Sequence, residues 1–168
     1  MKQALGMGAA ALAAISLAGC GVGQAVKDGT VDAAKWAFTT QVKTMNLDLV
    51  SRASLNASSA GQSLSTVVRV YQLKAPTAFE QLSYAQLETR DLEVLKPDLL
   101  MTRDVVLRPD ERVSLAEPMH AGAEYVGVVA LFRSPDKDSV WKLVVPKKQW
   151  KKIDPVRIEV RSSTLELM

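Results

Sequence analysis

Leu64-Ser65-Thr66-Val67-Val68-Arg69-Val70-Tyr71-Gln72-Leu73 decides the architecture. β-branched and aromatic residues dominate it, and apolar side chains fall on both parities of a two-residue repeat. That pattern predicts a strand covered on both faces, hence a central one. A second such run, residues 123–133 (AEYVGVVALFR), predicts another central strand. Around them the sequence alternates as half-buried strands do. Met45, Leu47, Leu49, Ala53 and Leu55 alternate with polar groups, as do Trp141, Leu143 and Val145, and later Val156, Ile158 and Val160. After Ser162-Ser163 the apolar parity shifts to Leu165 and Leu167, which predicts a bulge or tight hairpin. Val105 and Leu107 lead through Pro109-Asp110-Glu111 into Val113 and Leu115, a pattern that reads as a hairpin. About eight strands with turn signals between them predict an all-β, two-sheet sandwich.

One stretch breaks the rhythm. Between about 77 and 100, Phe79, Leu82, Leu87, Leu92, Leu95 and Leu99 recur at spacings of three and four. They predict a helical insertion of one helix and a shorter turn, with Thr77 as N-cap and Pro97 near the end. The sandwich domain then spans 44–168. Asn56-Ala57-Ser58-Ser59-Ala60-Gly61-Gln62 is a polar loop between its first two strands.

The N-terminal region has a different character. Residues 4–18 are apolar, uncharged and small-sided, too short for a membrane span, and they end as a secretory signal does. The closing Leu17-Ala18-Gly19-Cys20 resembles the lipobox of bacterial lipoproteins, which implies a signal peptide over 1–19 and a covalent lipid on Cys20. Cys20 is the single cysteine of the chain, so it has no internal disulfide partner, and acylation accounts for it. Gly21 after it points to the outer membrane. Residues 20–43 read as the lipidated N-terminus and a tether, weakly amphipathic or semi-ordered, interrupted near Gly29 and carrying Trp36 and Phe38. Without residues 1–19, 149 residues remain, with 20 basic against 18 acidic side chains. That balance gives no argument for nucleic acid.

The lipobox, the polar loop, VVRVYQL (67–73), the insertion with Phe79 and LEVLKPDLL (92–100), and YVGVVALFR (125–133) with Trp141 occur in this order. Together they resemble the TssJ (SciN, VasD) family, outer-membrane lipoproteins of the type VI secretion system. The resemblance implies a transthyretin-like sandwich anchored at the periplasmic face of the outer membrane. It implies binding to the periplasmic C-terminal region of the inner-membrane subunit TssM. It also implies that the loop between the first two strands, Asn56 to Gln62, makes that contact.

Other chemistry finds little support. His120, the only histidine, sits in a loop, and no triad, ligand set or Gly-rich phosphate loop accompanies it. We expect no catalytic residue, no metal, no cofactor beyond the lipid, and no small-molecule substrate. The alternative, a periplasmic lipoprotein that binds a small ligand or another envelope protein, meets inward positions filled by bulky Val, Leu and Ile. Lys147, Lys148, Lys151 and Lys152 flank Trp150. This basic cluster is either a solvated connection or a contact for anionic headgroups or an acidic partner. Tyr71 and Tyr125 are expected in the core with their hydroxyls at an edge.

Overall fold

The computed structural model describes residues 41–168. The expected signal peptide, Cys20 and the expected tether up to residue 40 lie outside the described residues. The last tether residues, 41–43, are not helical. Val42 packs on the core, and Lys43 O accepts a hydrogen bond from Met119 N at 2.8 Å.

Eight strands form two sheets of four. β1 (Thr44–Leu55), β4 (Arg112–Pro118), β7 (Val156–Ser162) and β8 (Thr164–Leu167) make one, in the order β4-β1-β7-β8. β2 (Thr66–Leu73), β3 (Leu99–Leu107), β5 (Tyr125–Leu131) and β6 (Lys142–Pro146) make the other, in the order β3-β2-β5-β6. β1 and β7 run parallel, while the other pairs are antiparallel.

β2 and β5 are both central, and the reason for their two apolar faces is visible. Val68, Val70, Val126, Val128 and Ala130 face the other sheet, where they meet Met45, Leu47, Leu49, Ile158 and Val160. Tyr71, Leu73 and Val129 face outward beneath the helical insertion, against Phe79, Leu82, Leu87 and Leu95. The sheet is therefore sandwiched between a second sheet and a pair of short helices. Gly127 makes this second layer fit. A Cβ there would stand 2.8 Å from Phe79 Cε2, so only a glycine lets the Phe79 ring lie on the strand.

The insertion differs from its sequence reading in detail. The short helix α1 (Thr77–Gln81) comes first, with Pro76 rather than Thr77 at its N-cap and no side-chain cap. The longer helix α2 (Tyr84–Leu95) starts at Ser83, whose hydroxyl accepts from Gln86 N while the Gln86 side chain accepts from Ser83 N. That capping box satisfies two orphan donors and sets the start of α2. Leu99 belongs to β3, because Pro97-Asp98 ends the insertion, and Leu92 is 48% exposed. α1 ends without a glycine. Its last carbonyls are met instead by Lys142 Nζ, which donates to Glu80 O at 2.6 Å and Leu82 O at 2.7 Å. Burial lowers the Lys142 pKa.

The expected hairpin across Pro109-Asp110-Glu111 is not one. β3 pairs with β2, whereas β4 pairs with β1, Leu47 opposite Leu115. The turn thus crosses from one sheet to the other. Its signals are the same for either path, and the anchor is remote: the Ser51 hydroxyl donates to Arg108 O and accepts from Glu111 N at 2.8 Å. The parity change after Ser162 is a tight hairpin, with Arg161 opposite Thr164 and Ser162 at φ 49°.

One aromatic expectation also changes, and one open reading is decided. The Tyr71 hydroxyl is not at an edge. It is fully buried and donates to Asp91 Oδ2 at 2.6 Å, beside Arg69 Nη1 at 2.7 Å from the same oxygen. Trp150 is core: it is 4% exposed and its Nε1 donates to Asn46 O at 2.8 Å.

Candidate functional site

The sandwich has two ends of different character. The chain enters β1 at Thr44, which lies opposite Pro118 at the end of β4. Residues 41–43, the 119–124 connection and the Lys147–Lys151 turn gather at that end, tied by Met119 N to Lys43 O and Lys147 N to Glu124 O. β1 then runs its 12 residues to Leu55, roughly 35–40 Å at strand rise. At the far end lie the 56–65 loop, the 108–111 turn, the 132–141 connection and the Ser162-Ser163 turn.

Asn56 opens the polar loop with φ 45°, a left-handed conformation that asparagine tolerates better than most residues. Its side chain is turned inward and bonded at both its nitrogen and its oxygen. Nδ2 donates to Ser65 O at 2.9 Å and Oδ1 accepts from Arg133 N at 2.7 Å, while its backbone N–H donates to Ser162 O at 2.8 Å. Asn56 therefore ties the loop to β2, to the β5–β6 connection and to the β7–β8 turn. The tip is a self-contained turn. Ser58 Oγ accepts from Ala60 N and Gln62 N, Ser58 N donates to Gln62 O, and Gly61 supplies φ 74°. Ala57, Ser59, Ala60, Gly61 and Gln62 are exposed and Ser58 is half-buried. The loop thus offers small side chains on a braced backbone.

Beside it lies a recess of about 140 Å³ lined by Asn56, Ala57, Phe132, Ser134, Ser162 and Ser163. Phe132 is buried and forms an apolar floor, and the serines rim it with hydroxyls. The adjoining turn is rigid: Ser139 Oγ stands 2.8 Å from Asp136 Oδ1 and 2.9 Å from Ser163 Oγ. The Ser139 hydroxyl, then the backbone N–H groups, hold the Asp136 carboxyl below the usual carboxylate range. Of these wall residues the sequence singled out Asn56 and Ala57 as part of the contact loop and Ser162-Ser163 as a turn, but not Phe132. Their strand-end positions were the available clue, since 56, 132 and 162 all terminate strands at one end.

The other features singled out in the sequence are dispersed. His120 is exposed in the 119–124 connection, where its Nδ1 accepts from Gly122 N at 3.1 Å. Gln72, buried and not singled out, holds that connection through Pro118 O at 2.9 Å and His120 N at 2.7 Å.

Residues 43–163 match the family model described as "Type VI secretion lipoprotein, VasD, EvfM, TssJ". Among solved structures, a chain of "Type VI membrane complex" is 39% identical, with TM-score 0.72, over 76% of this chain and 99% of that one. A chain of "T6SS protein TssM C-terminal domain (869-1107) from EAEC" is 34% identical, with TM-score 0.66, over 76% and 98%. The T6SS lipoprotein TssJ1 from Pseudomonas aeruginosa, 23% identical with TM-score 0.66 over 76% and 96%, shares the fold. No curated protein matches at the same level. The family match over most of the domain, with the two-sheet sandwich and its helical insertion, places the chain in the TssJ family of type VI secretion lipoproteins.

Proposed function

We propose that this lipoprotein is a non-enzymatic structural subunit that holds the periplasmic C-terminal region of a TssM-type subunit to the outer membrane. Cys20 carries the lipid at the periplasmic face, the segment up to residue 43 supplies reach, and the loop end of the sandwich supplies recognition. Two or three acyl chains, at roughly 0.8 kcal/mol per buried methylene, make such attachment effectively permanent.

The observation that carries this reading is the polarity of the domain. The chain arrives at one end, and the braced loop from Asn56 to Gln62 with its recess stands at the other, one full strand away. A subunit built this way can hold a partner on the side away from its anchor. A chain similar to this one in a structure named for a TssM C-terminal domain supports the choice of partner.

The test places charge and bulk on the loop without touching Asn56. Ser59→Arg with Ala60→Arg changes two exposed side chains, so the melting temperature should shift by no more than about 4 °C, as surface substitutions allow. Calorimetric titration with the partner's purified periplasmic domain should show affinity at least about tenfold weaker, the equivalent of 1.4 kcal/mol. Unchanged affinity would remove the loop from the interface.

A further inference from the structure

We infer that the chain-entry end of the sandwich is a second membrane contact, a lysine-rich face that rests on anionic lipid headgroups. This rests on the reading that Cys20 carries the anchor, since the anchor brings this end to the bilayer.

The 3₁₀ turn Lys147–Lys151 is the core of the face. In such a turn residues three apart eclipse one another. Trp150 and Lys147 share its inward side. The indole is buried and bonded to Asn46 O, and Lys147 Nζ donates to His120 O and Ala121 O at 3.3 Å each. Lys148 and Lys151 therefore stack on an outward side, with Lys152 following, and all three are exposed. Stacked like charges repel unless an anion joins them.

Among the described residues no carboxylate does so. Arginines on the flanks are paired, Arg112 and Arg157 with Asp48 and Arg103 with Glu117, whereas Lys148, Lys151 and Lys152 make no ion pair within the described residues. The carboxylates at this end include Asp98, Glu117, Glu124 and Asp154, none of them in an ion pair with these lysines. Glu117 is taken by Arg103, and Asp154 Oδ2 accepts from Asn46 Nδ2 at 3.2 Å. Ile153, next to Lys152, is 48% exposed, an apolar side chain placed to enter the headgroup layer while the lysines meet phosphates. Lys43, where the chain enters, is exposed on the same end. Unpaired lysines, an exposed isoleucine and the entry of the lipid-bearing segment thus coincide. An anionic bilayer surface fits all three. An acidic protein face would leave Ile153 and the chain entry unexplained.

The experiment uses the full lipidated chain, purified in detergent and transferred to vesicles of phosphatidylcholine alone or with phosphatidylglycerol. Lysine acetylation is then read residue by residue by mass spectrometry. Phosphatidylglycerol should slow modification of Lys148, Lys151 and Lys152 about fivefold, the ratio that ~1 kcal/mol of surface attraction per lysine gives. Lys137, exposed at the loop end, should not change, and high salt should reverse the protection. In the K148Q/K151Q/K152Q chain, Lys43 should lose its phosphatidylglycerol-dependent protection. Binding to pure phosphatidylcholine reports the lipid anchor by itself, so its loss would sink the anchor reading while the lysine pattern still decides the face. Equal modification with and without phosphatidylglycerol overturns the inference. So does protection that appears only when the partner's periplasmic domain is added, which would make this a protein contact.

Discussion

Asp91→Ala tests whether one buried carboxylate clamps the helical insertion to its sheet. Asp91 sits on α2 and is 5% exposed. Its Oδ2 receives Tyr71 OH at 2.6 Å and Arg69 Nη1 at 2.7 Å, while the rest of the Arg69 fork holds Asp104 at 2.6 and 2.7 Å. Removing the carboxylate affects the two donors unequally. Arg69 keeps Asp104 and some solvent, so its loss is screened to roughly 0.5–1 kcal/mol. Tyr71 is fully buried, and its hydroxyl is left without an acceptor at a cost of about 1–3 kcal/mol. The sum is about 1.5–4 kcal/mol, which for a domain of this size lowers Tm on the order of 10 °C.

Urea and thermal melts of a soluble form starting at residue 21, followed by circular dichroism, measure this. Tyr71→Phe provides the control. In that background there is no hydroxyl to orphan, so Asp91→Ala should cost at least about 1 kcal/mol less, a coupling well above the 0.3–0.5 expected of independent sites. Additive single and double mutants would refute the clamp. The pH dependence has a definite sign. Burial raises the Asp91 pKa, but the hydrogen bonds from Tyr71 and Arg69 outweigh it and leave the carboxyl below its ordinary 3.8. A depressed native value means that the stabilisation is complete above the unfolded value and is lost as pH falls through the native one. The gap between wild type and Asp91→Ala should be constant near neutrality and begin to close below about pH 4.

Gly127→Ala places a methyl 2.8 Å from the buried Phe79 ring and should cost about 1–3 kcal/mol in denaturant melts. Phe79→Leu in the same chain should recover part of that loss, and an unaffected single mutant would mean the ring is free to move. With Cys20→Ser, metabolic labelling with a palmitate analogue should disappear and secretion should fail while the domain still folds. Equal labelling of mutant and wild type would remove Cys20 as the lipid site.

The strands were legible because alternation reports which face a residue takes. β2 and β5 show this best, since apolar residues at both parities marked them as covered twice, once by β1 and β7 and once by Phe79 and α2. Alternation does not report which sheet a strand joins. Val113 and Leu115 alternate in the same way whether β4 folds back on β3 or crosses to β1, and the choice is made by pairing with residues 44–50 and by Ser51, more than fifty positions earlier. Lys142 was hidden for a related reason. In sequence it is the polar member of an alternating strand, and only the fold brings it to the carbonyls ending α1. The place of Trp150 among lysines left its side open, because nothing local announces a 3₁₀ turn that points one side inward.

The proposed recognition loop raises a question of where binding energy resides. Interface energy concentrates in large side chains, Trp, Tyr and Arg above all, seated in well-packed pockets. The loop from Asn56 to Gln62 has none of these, and its inward-facing amide, Asn56, is held by internal hydrogen bonds. What this end does offer is shape. It has a recess of about 140 Å³ with the Phe132 ring as floor and serine hydroxyls around it, held by turns whose polar groups are already satisfied. A preformed recess loses little conformational entropy when filled, whereas a loop of long side chains would have to be ordered at binding. In the proposed complex the large anchor therefore belongs to the partner, and this chain supplies the socket and a backbone rim. On that division, Ser59→Ala or Ala60→Gly should hardly matter, while filling the socket by Ser163→Tyr should weaken binding as much as rebuilding the whole loop. Calorimetric titration of Ser163→Tyr beside the Ser59→Arg/Ala60→Arg chain decides it. Full affinity with the socket filled would return the binding energy to the loop itself.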